Sequence, residues 1–182
     1  MLIKTILLGD KAVGKTHLLN HLRGINYSHY MPTVGVDFFE YNMSGKKLHI
    51  WDSSGSLKYA GVTRTFVRST SLFLIVYNNK RSFDKISGIM EMIDLLCEKD
   101  KRIMLISLTA DAELECEGQT LASIRRIPFL SCNVNNRSDA IILWHTILDI
   151  CDMEINLNKW SIAKRKVPPI VEKRNCWWWF GS

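Results

Sequence analysis

Short apolar runs alternate along this chain with stretches in which apolar residues recur every three or four positions. Ile3 to Leu8 is apolar but for Lys4 and Thr5, and it reads as a buried strand. Leu18, Leu19 and Leu22 then fall at helical spacing, and Arg23 to Gly35 is a polar, irregular loop. Val36 to Met43 and Lys47 to Asp52 flank Ser44-Gly45, which predicts a hairpin and the one antiparallel pair. Ser53 to Gly61 is a loop of mostly small residues, followed by a weak helical stretch to about Arg68. Leu72 to Tyr77 is unbroken apolar sequence, as a central strand requires. Ile86, Ile89, Met90, Ile93, Leu96 and Cys97 define one helical face, and Ile103 to Leu108 another buried strand. Gln119 to Arg125 predicts a short helix, and Phe129 to Cys132 a short strand after Pro128. Ala140, Leu143, Trp144, Ile147, Leu148 and Cys151 predict a final helix.

The pattern stops beyond Asn156, and no repeat is visible. Strand and helix alternate, so the expected fold is α/β, a six-stranded, mostly parallel sheet with one antiparallel strand and about five flanking helices. The expected division is a domain over residues 1–156 and a tail over 157–182.

The first strand leads into Gly9-Asp10-Lys11-Ala12-Val13-Gly14-Lys15-Thr16, and a helix follows. This is the phosphate-loop pattern in its required strand–loop–helix context. Its glycines let backbone N–H groups wrap a phosphate, and the helix N-terminus adds positive dipole character. Lys15 would face the outer phosphates and the Thr16 hydroxyl would hold Mg²⁺. His17 and His21 stand four apart on the same helix, but no third metal ligand lies near them in sequence.

Composition changes this picture little, and charge changes it at one end. The 182 residues suffice for one buried core, and 47% hydrophobic and 23% charged residues are ordinary globular values. No apolar run reaches membrane-spanning length, and the first strand begins too early to leave room for a signal peptide. Five scattered cysteines with no Cys-x-x-Cys pair favour reduced thiols in a reducing cytosol over disulfides or zinc. Residues 159–174 carry a net +5 of the chain's formal +6. Such a run suits an anionic partner, a membrane surface or nucleic acid, or is a solvated linker.

Three further stretches carry a resemblance. They are Tyr30-Met31-Pro32-Thr33-Val34-Gly35-Val36-Asp37-Phe38, His49-Ile50-Trp51-Asp52-Ser53-Ser54-Gly55 and Ile75-Val76-Tyr77. With the phosphate loop and Ile127-Pro128-Phe129-Leu130, they make residues 2–152 resemble the Ras superfamily, and within it the Rab branch. The resemblance implies guanine nucleotide (GTP or GDP) and Mg²⁺ as ligands, with Thr33 closing over the γ-phosphate and the metal. It implies Asp52 as the further Mg²⁺ residue and the Gly55 N–H as the γ-phosphate sensor. Tyr27 would stack on the base. Phe38 and Trp51 match two of three positions of the hydrophobic patch that Rab proteins present to effectors, and the third falls on Val67. No nucleic-acid partner is expected on this reading.

The departures are as informative. Ser56 stands where the family's Gln orients the attacking water, and Lys11 stands where relatives carry a small residue. The catalytic positions are thus Lys15, Thr33 and Ser56, with hydrolysis expected to be weak. The base-reading motif survives only as Asp111 in Leu108-Thr109-Ala110-Asp111. Asn133-Val134-Asn135 replaces the usual Ser-Ala-Lys, where a backbone N–H near Val134 can still meet the base. Guanine selectivity is therefore expected to be weakened and to lean on Asp111. The tail ends Cys176-Trp177-Trp178-Trp179-Phe180-Gly181-Ser182, which is no prenylation box; it suits an interfacial membrane anchor or docking onto protein.

The expectation is a divergent Rab-like GTP-binding switch in vesicle traffic, cytoplasmic or peripheral on the cytosolic face of membranes. Its first rival is a Rab-like pseudo-GTPase acting as a fixed interaction module. A phosphate-loop kinase would need an Arg-rich lid that the sequence lacks.

Overall fold

The computed structural model describes residues 2–25, 31–43, 45–97 and 101–152. Six strands form one sheet: β1 Leu2–Leu8, β2 Val36–Met43, β3 Lys46–Ser53, β4 Leu72–Tyr77, β5 Arg102–Ser107 and β6 Phe129–Ser131. The order across the sheet is β2-β3-β1-β4-β5-β6, and only β2 and β3 run antiparallel. The helices are α1 Lys15–Leu22, α2 Ala60–Val67, α3 Lys80–Phe83, α4 Ile86–Leu96, α5 Ala112–Arg125 and α6 Arg137–Asp152, with a 3₁₀ turn at Leu57–Tyr59. Among the described residues five helices have eight residues or more, and α3 is a single turn leading into α4.

The period of two in the strands builds two cores. Leu72, Leu74 and Val76 of β4 face a layer made by α1 and α6, with Leu18, Leu19, Leu143, Trp144 and Ile147. Phe73, Ile75 and Tyr77 face the opposite layer, with Ile86, Met90 and Ile93 of α4 and Leu114 of α5. Because β4 is covered on both faces, all six of its residues are buried, which is why it reads as continuous apolar sequence. Trp144 pins α6 to the rest: its indole N–H donates to the Leu22 carbonyl at 2.8 Å, and its ring stacks on Tyr41 at 4.2 Å.

One helix is longer than its sequence suggests. Gln119 to Arg125 is helical as expected, but α5 begins seven residues earlier at Ala112. Glu113, Glu115, Glu117 and Gly118 hide the period there. Gly118 is buried against β4, where an added Cβ would stand 1.9 Å from the Tyr77 hydroxyl. The helix thus approaches the sheet where no side chain intervenes.

The chain leaves β1 toward the α1 face and leaves β3 toward the α2 face. Loops after adjacent parallel strands diverge, and a crevice opens at their carboxyl ends.

Candidate functional site

Residues 9–16 fill that crevice. Gly9 has φ 152°, and a Cβ there would lie 2.2 Å from the Val76 carbonyl oxygen, so the loop leaves β1 flush against β4. Ala12 at φ 60° and Gly14 at φ 100° turn through the left-handed region, the backbone form of an anion nest. Lys15 is 4% exposed, and its ammonium donates to the carbonyls of Gly9 at 3.1 Å and Asp10 at 2.7 Å. Burial drives its pKa down to about 8, against the opposing charges of Asp52 and Asp10. A buried ammonium whose hydrogen bonds go to neutral carbonyls suits an anionic ligand.

The three residues expected to hold Mg²⁺ meet beside it. Thr16 opens α1, Thr33 lies in the loop before β2, and Asp52 sits near the end of β3. The two threonine hydroxyls are 2.9 Å apart, and both donate to Asp52 Oδ2, Thr33 at 3.4 Å and Thr16 more closely. Asp52 is fully buried. Burial raises its pKa, while the Thr16 hydrogen bond and the Lys15 charge pull the other way. Its Oδ1 is buried with no hydrogen-bond partner among the described residues. Two hydroxyls and a carboxylate with an unpaired buried oxygen are a hard-oxygen donor set, and they fit Mg²⁺.

Gly55, at φ 68°, presses the loop after β3 onto the phosphate loop: a Cβ there would stand 2.4 Å from the Gly9 carbonyl and 2.6 Å from Lys15 Nζ. Ser53 anchors the same loop through a 2.6 Å hydrogen bond to the Leu7 carbonyl. A cavity of about 780 Å³ lies over these loops. Lys11, Ala12, Val13, Gly14, Lys15, Thr16, Thr33 and Ser56 line it, and so do Leu108 and Val134. Tyr59, His17 and Asn78 also reach it, and the sequence reading assigned none of them there.

The base-reading residues are differently placed. Leu108 Cδ1 packs against Gly14, 3.1 Å from where a Cβ would stand. Asp111 is the N-cap of α5, its Oδ1 accepting from the N–H groups of Glu113 at 3.0 Å and Leu114 at 3.3 Å. Asn133 is exposed, its N–H bound to Asp139 Oδ2 at 2.8 Å. Tyr27 and the 157–182 tail lie outside the described residues.

Two features were not legible in the sequence. Asp10 Oδ2 pairs with Lys85 at 2.6 Å and Arg81 at 3.5 Å, tying the phosphate loop to α3 and α4. Burial raises the Asp10 pKa, but Lys85, the Lys11 N–H and Arg81 together hold it below the usual carboxylate value. The second is a correction. Val67 does not belong to the aromatic patch: it is fully buried in the core under the sheet. Phe66, one residue earlier, takes that place with its ring 5.8 Å from Trp51, which lies 5.6 Å from Phe38. Helical rotation of one residue, about 100°, separates the two faces.

His21 hydrogen-bonds the Asn136 carbonyl through Nε2 at 3.1 Å, and no group of three or more metal-binding His, Cys, Asp or Glu residues occurs among the described residues.

The Ras family model matches residues 4–149. Ras-related protein RabC of Dictyostelium discoideum is 24% identical, covering 97% of both chains. Human Ras-related protein Rab-37 is 34% identical over 70% of this chain and 63% of its own. Ras-related protein SEC4 of Saccharomyces cerevisiae is 24% identical over 87% of this chain and 79% of its own.

Proposed function

The chain belongs to the Ras family of small GTP-binding proteins, and from that premise we propose that it is a Rab-type switch in vesicle traffic with a slow hydrolytic off-step. The observation that carries the reading is the meeting of the Thr16 and Thr33 hydroxyls at Asp52 Oδ2, while Oδ1 of the same buried carboxylate has no hydrogen-bond partner among the described residues.

In this reading Lys15 neutralises the outer phosphates, and Thr16, Thr33 and Asp52 hold Mg²⁺. Held there, Mg²⁺ would supply charge stabilisation to the phosphates. Thr33 comes from the loop entering β2, so its docking depends on what occupies the cavity. Residues 26–38 and 53–68 are the segments that would respond, the usual order–disorder logic of such switches. Phe38, Trp51 and Phe66 offer effectors an aromatic surface whose neighbours move with the nucleotide. The hydroxymethyl of Ser56 falls short of the reach of a glutamine amide, so water is left poorly oriented. Lys11, exposed on the rim of the same cavity, crowds the approach of an activating arginine.

The second reading, a pseudo-GTPase acting as a fixed interaction module, draws support from Ser56 and from Leu108 at the base end. Chromatography of nucleotide released by denaturing the purified protein separates the two. Stoichiometric GTP or GDP supports the switch, and protein that stays empty after incubation with Mg²⁺ and GTP sinks it. The basic, Trp-rich tail would favour an anionic membrane surface. Flotation with phosphatidylserine liposomes tests this, and binding that survives deletion of 176–182 or ignores anionic lipid rejects it.

A further inference from the structure

We infer that the base end of this site does not select guanine: it takes adenine and guanine nucleotides alike, and Asp111 serves as the cap of α5 instead of reading the base. The inference rests on the reading of residues 9–16 as a phosphate loop for a nucleoside di- or triphosphate.

A carboxylate distinguishes guanine by offering both oxygens, in plane, to the N1–H and the exocyclic amino group of the base. Adenine has no such pair of donors on that edge. Asp111 is not among the described residues that line the cavity, and one of its two oxygens is already engaged. Its Oδ1 already accepts two backbone N–H groups, from Glu113 at 3.0 Å and Leu114 at 3.3 Å. These are among the donors that a helix N-terminus otherwise leaves unpaired. The Asp111 N–H is itself held by the Thr109 hydroxyl at 3.1 Å, which fixes the backbone from which the carboxylate projects.

Beside these motif positions the cavity is lined by Leu108 and Val134, whose side chains are apolar. An apolar wall is insensitive to which base edge carries donors and which acceptors, whereas a site built to hydrogen-bond an edge rejects its analogue steeply. The 133–136 turn is tied to itself: Asn133 Oδ1 accepts from the Asn135 N–H at 3.0 Å, and the Asn133 N–H is spent on Asp139. Binding is then supplied by the phosphate and Mg²⁺ end, which is the same for either purine.

Isothermal titration of the full chain, stripped of nucleotide, with GDP and with ADP in Mg²⁺ tests this. The wild type should bind both, with affinities within about tenfold of each other. Asp111→Asn keeps a good N-cap and removes the carboxylate, so its GDP-to-ADP ratio should stay within about twofold of wild type. Asp111→Ala should melt at a lower temperature than Asp111→Asn and keep the same ratio. A preference for GDP beyond about tenfold in wild type, or a ratio that falls in Asp111→Asn, overturns the inference and leaves the nucleotide switch standing. Binding of neither nucleotide overturns both.

Discussion

The Thr16 hydroxyl donates to Asp52 Oδ2, joining the first turn of α1 to the end of β3, while Oδ1 of the same carboxylate is buried without a hydrogen-bond partner among the described residues. One side chain thus joins two elements through one oxygen and leaves the other outside that bond. Asp52→Asn preserves the shape and removes the charge. Nucleotide affinity in the wild type should fall on adding EDTA by roughly tenfold or more, the worth of a charge-assisted contact. In Asp52→Asn that dependence should vanish. An unchanged response to EDTA would remove Asp52 from the metal site.

Lys15 makes a prediction in pH. Burial lowers its pKa from 10.5 to about 8, so between those values the unfolded chain binds the extra proton and the folded chain does not. Stability therefore rises with pH across that window, and below pH 8 the folded protein bears the full penalty of the buried charge. In nucleotide-free protein, unfolding free energy should rise relative to Lys15→Met between pH 8 and 10, by up to roughly 3 kcal/mol. Saturating GDP should flatten the slope, and Lys15→Met should bind GDP far more weakly. A parallel pH profile for the two proteins would mean that the ammonium is solvated.

Hydrolysis should respond to two substitutions at the rim of the cavity. Single-turnover cleavage of bound GTP should be slow in wild type and faster in Ser56→Gln, where an amide again reaches the attacking water. Adding Lys11→Gly should make the protein sensitive to an arginine supplied in trans. Fast cleavage by wild type would show that another residue positions the water.

Phe66 and Val67 should part company. Val67 is fully buried, so Val67→Ala should lower unfolding free energy by roughly 1–3 kcal/mol. Phe66 is half-buried beside Trp51, and Phe66→Ala should cost less stability while weakening any partner selective for the triphosphate state. Urea titration reads the first effect and binding to such a partner reads the second. Equal loss of stability in both would place Phe66 in the core.

The sequence made one half of the site legible and obscured the other for physical reasons. The phosphate loop is a contiguous pattern between a strand and a helix, and Asp52 ends the second arm of the hairpin read around Ser44-Gly45. Both could be placed before any geometry was known. The first half of α5 could not, because Glu113, Glu115 and Glu117 interrupt the apolar period and a side-chain cap at Asp111 starts the helix. The same fact hid what Asp111 does: a motif position records the residue type, and only the geometry records which donors it accepts. Phe66 and Val67 are adjacent in sequence, and counting along a weak helix cannot decide which of them faces Trp51. The Asp10–Lys85 pair spans 75 residues of chain and leaves no local signature.

That ion pair has a consequence for time. Any motion that draws the phosphate loop away from Lys85 and Arg81 must part Asp10 from two side chains that are open to water and ions. Mobile salt competes with such pairs. Dwell time of a bound nucleotide should therefore depend on ionic strength, through Lys85 and Arg81 outside the phosphate loop. Release measured from low to high salt should quicken in wild type and stay level in Lys85→Ala combined with Arg81→Ala. A protein that opens this latch by presenting its own carboxylate to Lys85 would hasten release without entering the nucleotide site at all.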